Sequence, residues 1–139
     1  MKKRVLAVLA FVMLLLLTSC EKGVTYLHLP SETDKDIFEE IIDVDAGGTD
    51  EVVFQTYEVL SNVSVNIMDY DYETDVYTVK SVVFEKNNLK IKQALKLKLN
   101  FLSDVPYVMI KYTRQNGETR EQYVYQNQQD GRLWLLERE

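Results

Sequence analysis

The amino-acid sequence predicts an all-β protein, an antiparallel sandwich or barrel with a short helix near its N-terminus. Runs of β-branched and aromatic residues recur about every 10 residues through the chain. Pairs of residues that favour turns separate several of these runs, and no long stretch has the apolar period of a helix. Strands joined by short turns pair antiparallel, and they bury one face against a second sheet or inside a closed barrel.

The first 20 residues have the pattern of an export signal. A basic start, Lys2 to Arg4, precedes an unbroken apolar run of 13 residues from Val5 to Leu17. A helix needs about 20 apolar residues to span a bilayer, so this run is too short for a membrane anchor. The order of basic, apolar and small residues predicts secretion.

Residues 17–20, Leu-Thr-Ser-Cys, resemble the lipobox of bacterial lipoproteins. The resemblance implies that residues 1–19 are cleaved, and that Cys20 becomes a mature N-terminus carrying a diacylglyceryl group and a fatty acid such as palmitate. Cys20 is the only cysteine in the chain, which fits a thiol kept for this attachment. Glu21 stands where an Asp retains enteric lipoproteins in the inner membrane, so the expected location is the outer membrane.

Composition narrows the function. Without residues 1–19 the chain has 13 Lys and Arg against 22 Asp and Glu, a net charge of −9. This charge argues against a nucleic-acid partner, whose phosphates require a basic surface. The sole histidine is His28, and the sequence contains no nucleophile elbow, phosphate-binding glycine loop or zinc-binding cluster. We therefore expect a non-enzymatic protein without a cofactor or metal.

The expected organisation has three parts. Residues 1–19 form the signal peptide, residues 20–36 hold the lipid anchor, a short leader and a first strand, and residues 37–139 form the β-sandwich domain. Residues 37–42 fit either a one-sided helix or a strand. We favour a short helix that leads into a strand.

Alternating and apolar runs predict the strands. They cover residues 24–29, 52–60, 63–67, 76–84, 89–101, 107–113, 119–125 and 133–136. Asn87-Asn88 is expected to end the strand at 76–84. The run at 89–101 alternates on both sides of Gln93-Ala94, which indicates one long strand or two strands joined by a bulge near Gln93-Ala94. The expected core comprises Val63, Val65, Ile67, Leu95, Leu97, Leu99, Val108, Ile110 and Leu135.

Two turns shape the C-terminal third of the chain. Asn116-Gly117 predicts a type I′ hairpin, which would place Ile110 opposite Tyr123 and Val108 opposite Tyr125. Asp130-Gly131 predicts a second turn before the last strand. The sequence therefore predicts a meander of three strands at the end of the chain.

The run at 89–101 carries Lys90, Lys92, Lys96 and Lys98 on one face. Side chains two residues apart on a strand lie about 6.8 Å apart, so the sequence predicts a positive row on an acidic protein. The row either protects a solvent-facing strand or sheet edge from aggregation or docks an anionic glycan, lipopolysaccharide or acidic partner. We favour the protective role.

The candidate ligand site is the acidic loop at residues 69–75. If the strand continues through Tyr70 and Tyr72, they share a face and form a flat aromatic platform on which a pyranose ring stacks. Asp69 and Asp71 would then accept hydrogen bonds from its hydroxyl groups. Scaffolds place binding residues on loops, and this loop joins two strands.

Carboxylates at alternate positions of that loop also suit calcium. The loop departs from an EF-hand, because Thr74 and Lys80 occupy the positions of its Gly and bidentate Glu. A second acidic group surrounds Gly47-Gly48 and comprises Asp43, Asp45, Asp50 and Glu51. Solvated loop acids explain both groups better than metal sites do.

Residues 47–54 and the Ser61-Asn62-Val63 that follows resemble the opening of BACON-type immunoglobulin-like domains of gut-bacterial surface lipoproteins. Residues 107–112, 116–117 and 123–126 resemble their closing hairpin. Ser64-Val65 stands where that family usually has Trp. The resemblance covers roughly residues 41–131, and it implies an immunoglobulin-like sandwich that binds glycan or acts as a spacer.

These features together predict a lipid-anchored, non-enzymatic protein of the cell envelope. Its expected role is a binding module for surface glycan or a protein partner, with Tyr70, Tyr72, Asp69 and Asp71 as ligand contacts. The alternative is a structural spacer or assembly subunit of an envelope complex, with no small ligand.

Overall fold

The computed structural model describes residues 23–101 and 105–137, so the predicted signal peptide and Cys20 lie outside the described residues. Within these ranges the elements in chain order are β1 (Thr25–His28), α1 (Asp34–Ile37), β2 (Glu40–Asp45), β3 (Asp50–Thr56), β4 (Leu60–Asp71), β5 (Val76–Leu89), β6 (Gln93–Leu99), β7 (Val108–Thr113), β8 (Thr119–Gln126) and β9 (Leu133–Leu136). Over the same part of the chain, no helix has the length and apolar character needed to cross a membrane.

The strands form two sheets that enclose the core. The four-stranded sheet has the order β1-β3-β6-β2, and the five-stranded sheet has the order β5-β4-β7-β8-β9. Neighbouring strands pair antiparallel, except for the parallel pair of β2 and β6. The predicted all-β sandwich is confirmed, and its immunoglobulin-like type stays a prediction. Because β1 pairs with β3, the sandwich also includes residues before 37.

The parallel pair follows from the path between β2 and β3. These strands do not pair with each other, because β6 lies between them. Their connection must therefore cross the end of β6, where a Cβ at Gly48 would lie 2.0 Å from the backbone carbonyl carbon of Leu99. Gly47 has a φ of +81° in the same connection, so both glycines are required by the crossing.

The core lies between the two sheets and contains most of the residues predicted for it. Seven of the nine are buried: Val63, Val65, Leu95, Leu97, Leu99, Val108 and Ile110. Leu135 is half-buried and packs against them. Ile67 is only half-buried and the prediction for it was wrong, because β4 has irregular register on either side of it and Met68 is buried instead.

The chain turns between β5 and β6 a few residues later than the predicted end of the strand at Asn87-Asn88. Asn87-Asn88 does not end β5, which continues to Leu89, opposite Leu60. A tight turn follows, in which the Gln93 amide donates to the Lys90 carbonyl at 3.0 Å. The long strand expected at 89–101 is therefore two strands from different sheets. The alternation is interrupted only at Gln93-Ala94 and resumes in the same phase at Leu95, so the pattern resembles that of one bulged strand.

The lysine row is divided by this turn. Lys96 lies on β6, a central strand, with its Nζ 4.0 Å from an Asp43 carboxylate oxygen and 3.9 Å from one of Glu51. Lys90 and Lys92 lie in the turn itself. A continuous positive stripe was thus the wrong prediction, and Lys96 forms ion pairs with neighbouring strands on its own sheet.

The hairpin between β7 and β8 has a three-residue loop, not the predicted two-residue type I′ turn. The Arg114 amide donates to the Glu118 carbonyl at 2.7 Å, and the Gly117 amide to the Arg114 carbonyl at 2.9 Å. Of the two predicted turn residues only Gly117 has a positive φ, +85°. The longer loop shifts the register by one residue, so Tyr123 lies opposite Met109 instead of Ile110.

The segment after β1 covers the four-stranded sheet on its outer face, the face turned away from the other sheet. The helical turn α1 falls earlier than the predicted 37–42, because Ile41 and Ile42 belong to β2. Phe38, which follows α1, is buried against Val53 and Ala94 of that outer face.

Candidate functional site

The loop at 69–75 is the connection of the β4–β5 hairpin. Its last ladder pair is Asp71 with Val76. One carboxylate oxygen of Asp71 accepts the backbone amides of Glu73 at 2.9 Å and Thr74 at 3.3 Å. These amide donors hold the pKa of Asp71 below its ordinary value. Asp71 therefore shapes the turn, and it has less capacity left for a ligand than the sequence suggests.

Tyr70 and Tyr72 come together at this end of the hairpin, as their sequence spacing suggests. Their ring centroids are 4.9 Å apart at an interplanar angle of 84°. The rings therefore meet edge to face, and the flat platform predicted for them was wrong. Tyr72 is 75% exposed, and Tyr70 is half-buried with its hydroxyl donating to the carboxylate of Asp75.

The two rings continue into two further tyrosines on the outer face of the five-stranded sheet. Tyr70 lies 4.8 Å from Tyr77, and Tyr77 lies 4.6 Å from Tyr123, measured between ring centroids. We call Tyr72, Tyr70, Tyr77 and Tyr123 the tyrosine chain. Its inner part packs with Met68 and Met109 in a small cluster of its own, separate from the main core.

Tyr77 and Tyr123 were not predicted as neighbours of Tyr70 and Tyr72 in the candidate site. Tyr77 could have been found, because a hairpin that closes between Asp71 and Val76 places it opposite Tyr70. Tyr123 was expected on the same face as Ile110, since the two-residue turn predicted at Asn116-Gly117 put these two residues opposite each other. The single extra loop residue moves it to the outer face.

The exposed end of the tyrosine chain borders an open groove of about 620 Å³. Its described lining consists of Asp69, Tyr70, Asp71, Tyr72, Glu73, Thr74, Val76 and Thr78, none of which is basic. Asp69 lies opposite Thr78 on the paired strands, and both are exposed. The groove thus combines aromatic surface with oxygen atoms that accept hydrogen bonds, in a negative field.

The acidic groups do not assemble a metal site. Among residues 23–101 and 105–137, no group of three or more His, Cys, Asp or Glu is arranged to hold an ion. The acids around Gly47-Gly48 have structural contacts of their own. Asp45 accepts the Gly47 amide at 2.9 Å, Asp50 accepts the Phe101 amide at 3.3 Å, and Glu51 faces Lys96.

His28 also has structural partners. One ring nitrogen lies 2.9 Å from the Leu29 carbonyl oxygen, and the other lies 3.2 Å from the side-chain oxygen of Gln55. The ring stacks beside Phe38 at 6.4 Å between centroids. His28 therefore helps to fix the segment that covers the four-stranded sheet.

Comparison with protein-family models, with curated proteins and with solved structures finds no match for this chain.

Proposed function

We propose that this protein is a lipid-anchored, non-enzymatic binding module of the cell envelope, and that the groove beside Tyr72 binds a neutral surface glycan. The observation that carries the proposal is a largely exposed tyrosine ring, supported by a second ring, above a groove lined with acceptor oxygens. Burial of an apolar side chain of this size contributes about 1.5–3 kcal/mol. A ligand that covers Tyr72 gains this energy.

The second ring, that of Tyr70, is held in place before a ligand binds. Tyr70 is half-buried, it contacts Tyr72 and Tyr77 on its two sides, and its hydroxyl is held by Asp75. A ring fixed in this way loses little conformational entropy when a ligand covers its neighbour. The tyrosine chain therefore supports the contact surface from below.

The electrostatics of the groove favour an uncharged ligand. Asp69, Asp71, Glu73 and Asp75 place four carboxyl groups within seven residues. Carboxylates accept hydrogen bonds from sugar hydroxyls, while the C–H face of a pyranose packs against an aromatic ring. A glycan bearing carboxylate or phosphate groups would be repelled by the same field.

A structural subunit of an envelope complex is the second candidate. The observation that favours it is apolar surface elsewhere on the five-stranded sheet. Val79 is 53% exposed and Val82 is 49% exposed on the edge strand β5, and Trp134 is 46% exposed on β9. Apolar surface on a sheet also suits a protein partner, because aromatic residues are enriched at such interfaces.

A glycan array probed with the purified protein tests the proposal. Tyr72→Ala should abolish the binding of neutral glycans that wild type retains. Tyr57→Ala is the matched control, because Tyr57 is 59% exposed and meets Tyr26 edge to face at 4.6 Å on the other sheet. Equal binding by both variants would contradict the proposed site. Silence on every glycan, with one stoichiometric envelope protein recovered by affinity capture, would favour the second candidate.

The anchor is tested separately by metabolic labelling with a fatty-acid analogue. Wild type should incorporate the label and Cys20→Ala should not, since Cys20 is the only thiol of the chain. Attachment of two or more acyl chains gives a stable membrane anchor. Equal incorporation by the two proteins would rule out the lipoprotein assignment.

A further inference from the structure

The described chain begins at one end of the sandwich, and the groove lies at the other. Gly23 and Val24 precede β1, and the Val24 carbonyl accepts the Tyr57 amide at 2.8 Å, next to the start of β4. β4 then runs through 12 residues to the groove, which at about 3.3 Å per residue separates its ends by roughly 35 Å.

The end that holds Gly23, which we call the basal end, also carries the turn between β5 and β6. Leu89 pairs with Leu60, the first residue of β4, so the turn at Lys90–Lys92 extends from this end. Ile91 is 49% exposed in that turn, with a lysine on each side. Tyr57, beside Val24, is 59% exposed.

The charges at the two ends also differ. At the basal end four glutamates form ion pairs: Glu39 with Lys92 at 3.6 Å, Glu58 with Arg114 at 3.0 Å, Glu118 with Arg120 at 2.9 Å and Glu137 with Arg120 at 2.8 Å. At the groove, four of the seven residues from 69 to 75 are acidic and none is basic. The basal end therefore approaches an anionic surface at lower electrostatic cost.

We infer that the basal end rests on the phospholipid headgroups and that the groove faces away from the membrane. This inference relies on the proposed anchor at Cys20, which is joined to Gly23 by a stretch spanning at most about 11 Å. So short a tether keeps the basal end beside the bilayer. Ile91 then enters the headgroup boundary, while the ammonium group of Lys90 remains among the phosphates. The ammonium group of Lys92, 3.6 Å from a Glu39 carboxylate oxygen, offsets that negative charge at the same boundary.

Energy transfer from the protein to a labelled membrane tests this orientation. Ile91→Cys and Thr74→Cys each add a single reactive thiol, because acylation occupies Cys20. Each full-length variant is labelled with a donor and reconstituted into vesicles of phosphatidylcholine and phosphatidylglycerol containing an acceptor lipid. Transfer from position 91 should exceed transfer from position 74 severalfold. Equal transfer, or stronger transfer from position 74, would overturn the orientation.

Two further variants distinguish the causes of failure. Adding Lys90→Glu and Lys92→Glu should reduce transfer from position 91 while the protein stays on the vesicles, and unchanged transfer would overturn the contact. Adding Cys20→Ala should abolish transfer from both positions. Failure of the acylated protein to join vesicles would overturn the anchor and this inference together. A silent glycan array would leave the orientation standing, because the measurement depends on distance alone.

Discussion

The two sheets of the sandwich cover their outer faces in different ways. On the four-stranded sheet, Phe38 from the segment after β1 is buried against Val53 and Ala94, and Lys96 pairs with acids on both neighbouring strands. On the five-stranded sheet the corresponding cluster is made by the sheet's own side chains, and it continues along the tyrosine chain to the exposed Tyr72. A face covered by its own chain is committed to stability, whereas aromatic rings that reach solvent are available to a ligand.

The largest expected loss of stability tests which face of the four-stranded sheet is turned toward the core and which is the outer face. Leu97 is fully buried on β6, so Leu97→Ala should lower the free energy of unfolding by about 2–5 kcal/mol. Lys96→Ala, one residue away on the outer face, should cost below about 1 kcal/mol, because its ion pairs are partly exposed. Chemical denaturation measures both losses. Similar losses would show that Leu97 and Lys96 are assigned to the wrong faces of β6.

The next largest loss of stability is expected from Phe38, which covers the outer face of the four-stranded sheet. Phe38 is 8% exposed, so Phe38→Ala should cost about 3 kcal/mol in unfolding free energy. Ile37→Ala is the matched control. The Ile37 side chain, next to Phe38 in the chain, is 59% exposed, so its removal should change the unfolding free energy little. Glycan binding by the folded Phe38 variant should match wild type. Loss of binding in that variant would mean that the two outer faces are coupled.

The smallest stability effect lies at the basal end, away from both outer faces. The Arg114 guanidinium donates to Glu58 at 3.0 Å and lowers the pKa of that carboxyl below its ordinary value of 4.5. The ion pair therefore contributes stability above about pH 4.5, and this contribution is lost as pH falls through the lower pKa of the folded state. Urea unfolding at about pH 6 and about pH 3 should give a stability difference between wild type and Glu58→Gln that shrinks in acid. A constant difference would contradict this account.

Most of the strands could be predicted from the sequence, and so could the proximity of Tyr70 and Tyr72 in the candidate site. Both follow from local properties, the alternation along β4 and the acidic turn after it. Tyr77 depends on where the hairpin closes, and Tyr123 depends on whether the loop at 115–117 has two or three residues. A local sequence pattern does not specify the number of residues in a loop. One additional loop residue moves every side chain of β8 to the opposite face of the sheet.

The break between β5 and β6 shows a second limit. The alternation at 89–101 keeps one phase on both sides of its single interruption at Gln93-Ala94, yet Leu89 and Leu95 belong to different sheets. A turn that keeps the phase of the alternation has the same sequence pattern as a bulge within one strand. The crossing at Gly48 is similar, since a pair of glycines indicates a turn and does not show that β6 lies beneath it.

Crosslinking in the intact envelope tests most directly whether the protein binds a glycan at the groove. A photoreactive phenylalanine analogue replaces Glu73, which lines the groove, so that the tyrosine chain stays complete. Irradiated cells should give a crosslinked glycan product that disappears when Tyr72→Ala is added and persists when Tyr57→Ala is added. A product of equal yield in all three proteins, or none in any of them, would contradict binding at this groove.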